Sequence, residues 1–308
     1  MRRCVCYLVS GGGHLPYLAT SLYTLRRYWS GMVHIYAWPE SYEIANRIAS
    51  DPLLYAFCTE IKPEQRCRLI GGQPFDRIRI MQDALKKQSG IYLDCDTVVS
   101  GDITPLFILA ETFGFVFTQF CKWVSTGKII RERVSRLIGI EGIPQDAVQR
   151  VLEWPMPSVN TGIFACKPGS PVLDEWYGYI EVAKHLFIGD EISAHALASK
   201  YIDPDQVRTV QWRPVGTLTT SGGEVSIAGG GIWNCSPKLQ PTDLPDDQVR
   251  IWHGHGDCFT RPNKSPIGAA MWWPLFEEVY QTNIGGIQDW AGAIQHKFFQ
   301  TMKVEKWG

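Results

Sequence analysis

The stretch IYLDCDTVVSGDITPLF, residues 91–107, decides the fold. Ile91-Tyr92-Leu93 is a short apolar run of the kind that forms a strand buried on both faces, and it ends on Asp94. Asp94-Cys95-Asp96 then sets two carboxylates at the strand end with little freedom, and Thr97-Val98-Val99 follows. Open α/β sheets bind ligands at the carboxyl ends of their strands. Two acids so close repel one another unless a cation lies between them, and hard divalent ions prefer oxygen ligands. A second triplet of the same form, Asp203-Pro204-Asp205, has proline between its acids and reads as a turn.

Outward from this stretch, the first hundred residues alternate short β-branched or aromatic runs with longer amphipathic ones. CVCYLVS (4–10) and MVHIYAW (32–38) read as strands. Between them Pro16 suits a first helical turn, and Leu18, Leu22 and Leu25 form a helical stripe ending near Gly31. Helices are expected over 41–49 and within PFDRIRIMQDALKK (74–87). Downstream, GFVFTQF (114–120) reads as a strand, KIIRERVSR (128–136) as an exposed basic helix, and Asn160-Thr161-Gly162 as the lead into a strand IFAC (163–166). Helices around 171–186 and 190–199 follow, then a Gly- and Pro-rich region from Gly216 to Pro245 with a hairpin near Glu224–Ala228. The fold class is α/β: one domain with a mixed, mostly parallel sheet flanked by helices, over 1–264, and a C-terminal helical extension, 265–308. Within the domain two halves are expected, about 1–110 and about 111–264.

Composition narrows the function. The 308 residues are 45% hydrophobic and 20% charged with a formal net charge of −1, so no global basic field supports nucleic-acid binding. Nine scattered cysteines without a CxxC pair favour thiols in a reducing compartment. The apolar run after Arg2-Arg3 is too short for a secretory core, and residues 103–124 carry Pro105, Glu111 and Gln119, a poor membrane span. A cytoplasmic protein without a membrane span is expected.

Three further segments carry chemistry. In VRIWHGHGDCF (249–259), His253, His255 and Asp257 alternate with glycines, which suggests metal or phosphate contact. Gly256 lets backbone approach a diphosphate, and Arg261 and Lys264 follow with positive charge. Ser10-Gly11-Gly12, between the first strand and helix, is a nucleotide-site candidate without dinucleotide spacing, and Trp38 ends the second strand beside it as an aromatic wall for a base. Trp212, Trp233 and Trp252 are candidates for stacking on a sugar or base.

In order, IYLDCDTVVSGDITPLF, SVNTGIFACKPG and VRIWHGHGDCF resemble the motifs of the GT-A glycosyltransferases, most nearly the family 8 type that includes glycogenin and bacterial lipopolysaccharide sugar transferases. The resemblance spans about residues 4–264. It implies transfer of a sugar from a nucleotide diphosphate, with a UDP-sugar expected, using manganese, or magnesium in its place. It implies Asp94 and Asp96, with Cys95 between them, at the donor ribose and metal, and His253 as third metal ligand with His255 the weaker candidate. Arg77 or Arg79 occupies the place of the basic donor contact, Asn160 lines the donor sugar or acceptor, and Asp190-Glu191 falls at the acidic donor-sugar motif. The family's lysine-proline-tryptophan after the histidine is absent, and Asp-Glu replaces its Asp-Gln. The acceptor is expected over a face bounded by Asn160, Asp190 and residues 216–245: a glycan or small molecule first, then a protein, then a modified DNA base. Rival readings are an HxHxD metallohydrolase, a sugar nucleotidyltransferase and a non-catalytic nucleotide-sugar-binding protein.

Overall fold

The structure, a computed structural model, describes residues 2–62, 76–124, 127–154, 156–201, 217–219, 224–229, 231–238, 246–255 and 258–291. Its strands are β1 (Arg3–Val9), β2 (Met32–Ala37), β3 (Phe57–Glu60), β4 (Ser89–Leu93), β5 (Thr97–Val99), β6 (Phe115–Val124), β7 (Pro157–Cys166), β8 (Thr217–Thr219), β9 (Val225–Ala228) and β10 (Ile251–His253). Its helices are α1 (Leu15–Arg26), α2 (Pro39–Ala49), α3 (Asp76–Ala84), α4 (Thr104–Phe113), α5 (Lys128–Val134), α6 (Gln145–Glu153), α7 (Pro171–Ala183), α8 (Gly189–Tyr201) and α9 (Pro266–Gln281).

Eight strands form one sheet in the order β3-β2-β1-β4-β7-β6-β9-β8, and β5 pairs with β10 as a separate ribbon. Neighbours from β3 to β4 are parallel, β7 runs antiparallel to both β4 and β6, β9 is parallel to β6, and β8 closes antiparallel on β9. The sheet is thus mixed and mostly parallel. Alternation along β1 explains the layers: Val5, Tyr7 and Val9 enter a core shared with α1 and α4, while Cys4, Cys6 and Leu8 enter one shared with α6, α7 and α8. The run after Arg2-Arg3 is therefore an interior strand of the sheet, and the eight described cysteines are free thiols.

Several expectations need revision. Asn160-Thr161-Gly162 does not precede a strand but lies inside β7, whose ten residues are all buried. The exposed edge strand β3 and the helix α6 had not been singled out: FCTE is only four residues long, and QDAVQRVLE lacks a side-chain cap, although its Ala147, Val148, Val151 and Leu152 form a buried stripe at helical spacing. In α5 the basic residues are mostly exposed, but Ile130 and Val134 are buried beneath them. The Asp203-Pro204-Asp205 triplet and Trp212 lie outside the described residues.

The ribbon β5–β10 positions the site. His253 pairs with Thr97, and the Gly254 N–H donates to the Asp96 carbonyl at 2.7 Å, which lays the late histidine strand over the acidic turn. Ser265 caps α9, its hydroxyl accepting from the Gly268 N–H, and the helix packs on α1 through Trp272 and Tyr17, 5.3 Å between ring centres. Among the described residues no helix is long and apolar enough to cross a membrane.

Candidate active site

Burial of β4 on both faces carries Asp94 to the sheet's carboxyl edge, where its N–H donates to the Gly162 carbonyl of β7 at 2.7 Å. Ligand atoms of Asp94, Asp96 and His253 lie within 4.8 Å of one another. His253 Nε2 is 3.3 Å from Asp96 Oδ1 and 3.6 Å from Asp94 Oδ2. Gly162 lines the space between them. A Cβ at Gly162 would collide with His253 Cε1 and lie 2.6 Å from Asp94 Oδ2. Two carboxylates and an imidazole around a space that only glycine leaves open fit a divalent cation.

The charges agree with that geometry. Burial alone would raise both carboxyls; instead Arg77 and His253 hold Asp94, and His253 holds Asp96, below the ordinary carboxylate range. Burial disfavours the imidazolium of His253, but Asp96 and Asp94 outweigh it and lift its pKa to about 9.

A second acidic pair faces the first. Arg77 bridges them, 3.5 Å from Asp94 and 2.8 Å from Asp190, and donates to the Thr161 carbonyl at 3.1 Å. The Thr161 hydroxyl donates to Asp190 at 2.9 Å. Glu191 receives Asn160 Nδ2 at 2.9 Å and Arg133 at 3.2 Å. Burial, then the charge of Asp190, pushes the Glu191 carboxyl up to about 7.

Asp94, Asp96, His253, Arg77, Asn160, Asp190 and Glu191 thus come together in one cluster. The remaining candidates are placed differently. Arg79 lies two residues, about 200° around the helix, from Arg77 and stacks over Tyr177, 5.2 Å away. Trp38 is buried, its indole N–H donating to Asp76 at 2.8 Å, so it forms no open wall for a base. The Cys95 thiol faces inward and donates to the Leu8 carbonyl at 3.2 Å. Ser10, Gly11 and Gly12 leave β1 at the same carboxyl edge as Cys95. His255 stacks beside His253, 3.7 Å between ring centres, with its Nε2 buried and unpaired; burial and the neighbouring charge push its pKa down to about 3. It is not within the grouping of Asp94, Asp96 and His253. Arg261 and Lys264 are exposed in the turn before α9, and Gly256 lies outside the described residues. Trp233 and Trp252 are core residues, not an open stacking face.

Four neighbours had not been singled out: Tyr92, Thr161, Arg133 and Asn234. Tyr92 carried a signal, since period two along β4 places it on the face of Asp94, to which its hydroxyl donates at 2.8 Å. Thr161 lay within the SVNTGIFACKPG motif. Arg133 hid in a basic run and Asn234 in a loop-rich region, where local pattern carries no information about partners.

By sequence, the chain matches no protein-family model and no curated protein. Solved structures do resemble it. The galactosyltransferase LgtC in complex with donor and acceptor sugar analogs has a TM-score of 0.55 at 14% identity, covering 89% of this chain and 95% of that one. An active-site mutant of LgtC has a TM-score of 0.54 at 13% identity over 91% and 95% of the two chains. Mouse xyloside xylosyltransferase 1, in its apo form, has a TM-score of 0.53 at 13% identity over 83% of this chain and 99% of that one. With overlap across most of both chains, these similarities show that the chain has the GT-A fold.

Proposed function

We propose that the chain is a metal-dependent glycosyltransferase that moves a sugar, with retention, from a UDP-sugar to a glycan or small-molecule acceptor in the cytoplasm. The observation that carries this reading is the cluster of Asp94, Asp96 and His253 around the space beside Gly162, with Arg77 joining it to Asp190 and Glu191. A divalent cation bound by those three residues, manganese best and magnesium second, would neutralise the diphosphate that leaves.

The protein's own groups divide the remaining work. Arg77, held by two carboxylates, orients Asp94 and Asp190 and adds positive charge beside the donor. Asp190 is engaged by Arg77 and Thr161, which leaves Glu191, with its pKa near 7, as the group able to hold or release a proton at neutral pH. On the retaining course Asp190, Glu191 and Asn160 bind the sugar and stabilise an oxocarbenium-like charge; on an inverting one Glu191 would be the base. The acceptor side is the face beyond Asn160 and Asp190. The HxHxD metallohydrolase is disfavoured, since its motif needs His253 and His255 at one metal and His255 stands outside the ligand grouping.

The test is release of nucleoside diphosphate from a panel of UDP- and GDP-sugars by metal-stripped protein. Turnover should return with Mn2+, more weakly with Mg2+, and vanish in excess chelator. Undiminished turnover in chelator would exclude the metal-dependent reading, and the anomeric coupling of the product by proton NMR decides between retention and inversion.

A further inference from the structure

We propose that Asn234 is a positioning residue that fixes the tautomer of His253, keeping the proton on Nδ1 so that the Nε2 lone pair faces the cation space. The assignment rests on the metal-dependent reading above and adds to it a residue outside all three motifs.

Asn234 is fully buried. The backbone brings it to His253: residues 232–235 run beside β10, with the Cys235 N–H donating to the Ile251 carbonyl at 3.1 Å and the His253 N–H to the Cys235 carbonyl at 2.8 Å. On the other side the Cys121 N–H donates to the Asn234 carbonyl at 3.0 Å. Gly231 permits that approach, having φ 74° where a Cβ would lie 2.5 Å from the Cys121 carbonyl oxygen.

The orientation of the Asn234 amide follows from its neighbours. Its Nδ2 lies 3.0 Å from Thr118 Oγ1 and 3.3 Å from Asn160 Oδ1. The Thr118 hydroxyl already donates to the Ile163 carbonyl at 2.7 Å, so its oxygen can only accept from Asn234. Asn160 presents Nδ2 to the Glu191 carboxylate, and its Oδ1 accepts the Gly162 N–H at 2.9 Å, so that oxygen is an acceptor too. Flipping the Asn234 amide would set oxygen against two oxygens. Its Oδ1 must therefore face His253 Nδ1, 3.1 Å away, and Nδ1 must carry the proton. Backbone groups of β7 thus dictate, through two side-chain amides and a threonine, which ring nitrogen of His253 is left to bind a cation. Such partners both orient a ligand histidine and strengthen it as a donor.

The experiment is Mn2+ binding, followed by the loss of the free-ion electron-paramagnetic signal, for wild type, Asn234→Ala and Asn234→Asp, with ring nitrogen-15 NMR of the Cd2+-loaded wild type. We expect Asn234→Ala to bind Mn2+ about 10–100-fold more weakly. Asn234→Asp keeps an acceptor opposite Nδ1 but sets its second oxygen against Thr118 Oγ1 and Asn160 Oδ1, so it should recover only part of that loss, and His253 of the wild type should show a protonated Nδ1 and a metal-bound Nε2. Equal affinity in wild type and Asn234→Ala, or an unprotonated Nδ1, would overturn the role of Asn234 while leaving the metal reading intact. Failure of the wild type to bind Mn2+ would overturn the metal reading and this assignment with it. The NMR arm uses wild-type protein and does not depend on the folding of any variant.

Discussion

The Asp94–Asp96 turn and the Asp190–Glu191 start of α8 each hold two acids close together on either side of Arg77, yet they end in opposite electrostatic states. At the turn, His253 and Arg77 overcome burial and keep both carboxylates charged. At the helix start, Asp190 takes Arg77 and Thr161 for itself, and Glu191 is left with Asn160 and Arg133 against burial and its neighbour's charge. The same residue types at the same kind of strand or helix end thus serve different chemistry. One pair is poised for a cation, the other for a proton: both share Arg77, but only the turn also has His253 against its two carboxylates.

The sharpest way to break this comparison is to remove Arg77. Arg77→Met leaves Asp94 and Asp190 without their shared cation and should cost about 3–5 kcal/mol of stability, measured by urea unfolding. Adding Asp190→Asn should return part of the loss; a double variant no better than the single would show that the bridge does not couple the pairs. Next in size are Asp96→Asn and His253→Ala, each expected to reduce sugar transfer more than about a hundredfold, roughly 2.7 kcal/mol, with unchanged folding by circular dichroism. Asp205→Asn, from the other acidic triplet, should leave activity nearly unchanged, and comparable damage there would transfer the metal role to residues 203–205.

The smallest effect concerns the second pair and runs through pH. Because the folded-state pKa of Glu191, about 7, exceeds its ordinary 4.5, the folded chain holds a proton that the unfolded chain has released. Stability from this group is therefore present below about pH 4.5 and lost as pH rises to about 7. Glu191→Gln should flatten the slope of unfolding free energy over that window by no more than about 2 kcal/mol, since partial exposure screens the effect. An unaltered slope would mean that Glu191 ionises like Asp96 and that the two pairs are alike.

Much of the fold was legible in local pattern. Short β-branched or aromatic apolar runs marked β1, β2 and β4, and Pro16 with the leucine stripe marked α1. The acidic turn followed from where β4 ended. β3 escaped because a four-residue edge strand differs little from loop in any short window, whereas the helical stripe Ala147, Val148, Val151 and Leu152 of α6 was legible but had not been singled out. At the site, the acids and His253 were visible as residue types in motifs, whereas Asn234 and Arg133 were invisible because their partners are distant in sequence.

What the sequence by itself determined is the series of elements, the strand end that presents Asp94 and Asp96, and the order of the three motifs, since each depends on near neighbours and side-chain periodicity. Tertiary structure alone decided that Arg77 and not Arg79 reaches the acids, that His253 and not His255 joins them, that Trp38 and Trp233 are core, and that Asn234 faces His253. Those outcomes depend on which helix face meets the sheet, on the pairing of β5 with β10, and on the loss of water around groups far apart in the chain. Burial and long-range pairing set hydrogen-bond partners and proton affinities, and no local window of residues contains them.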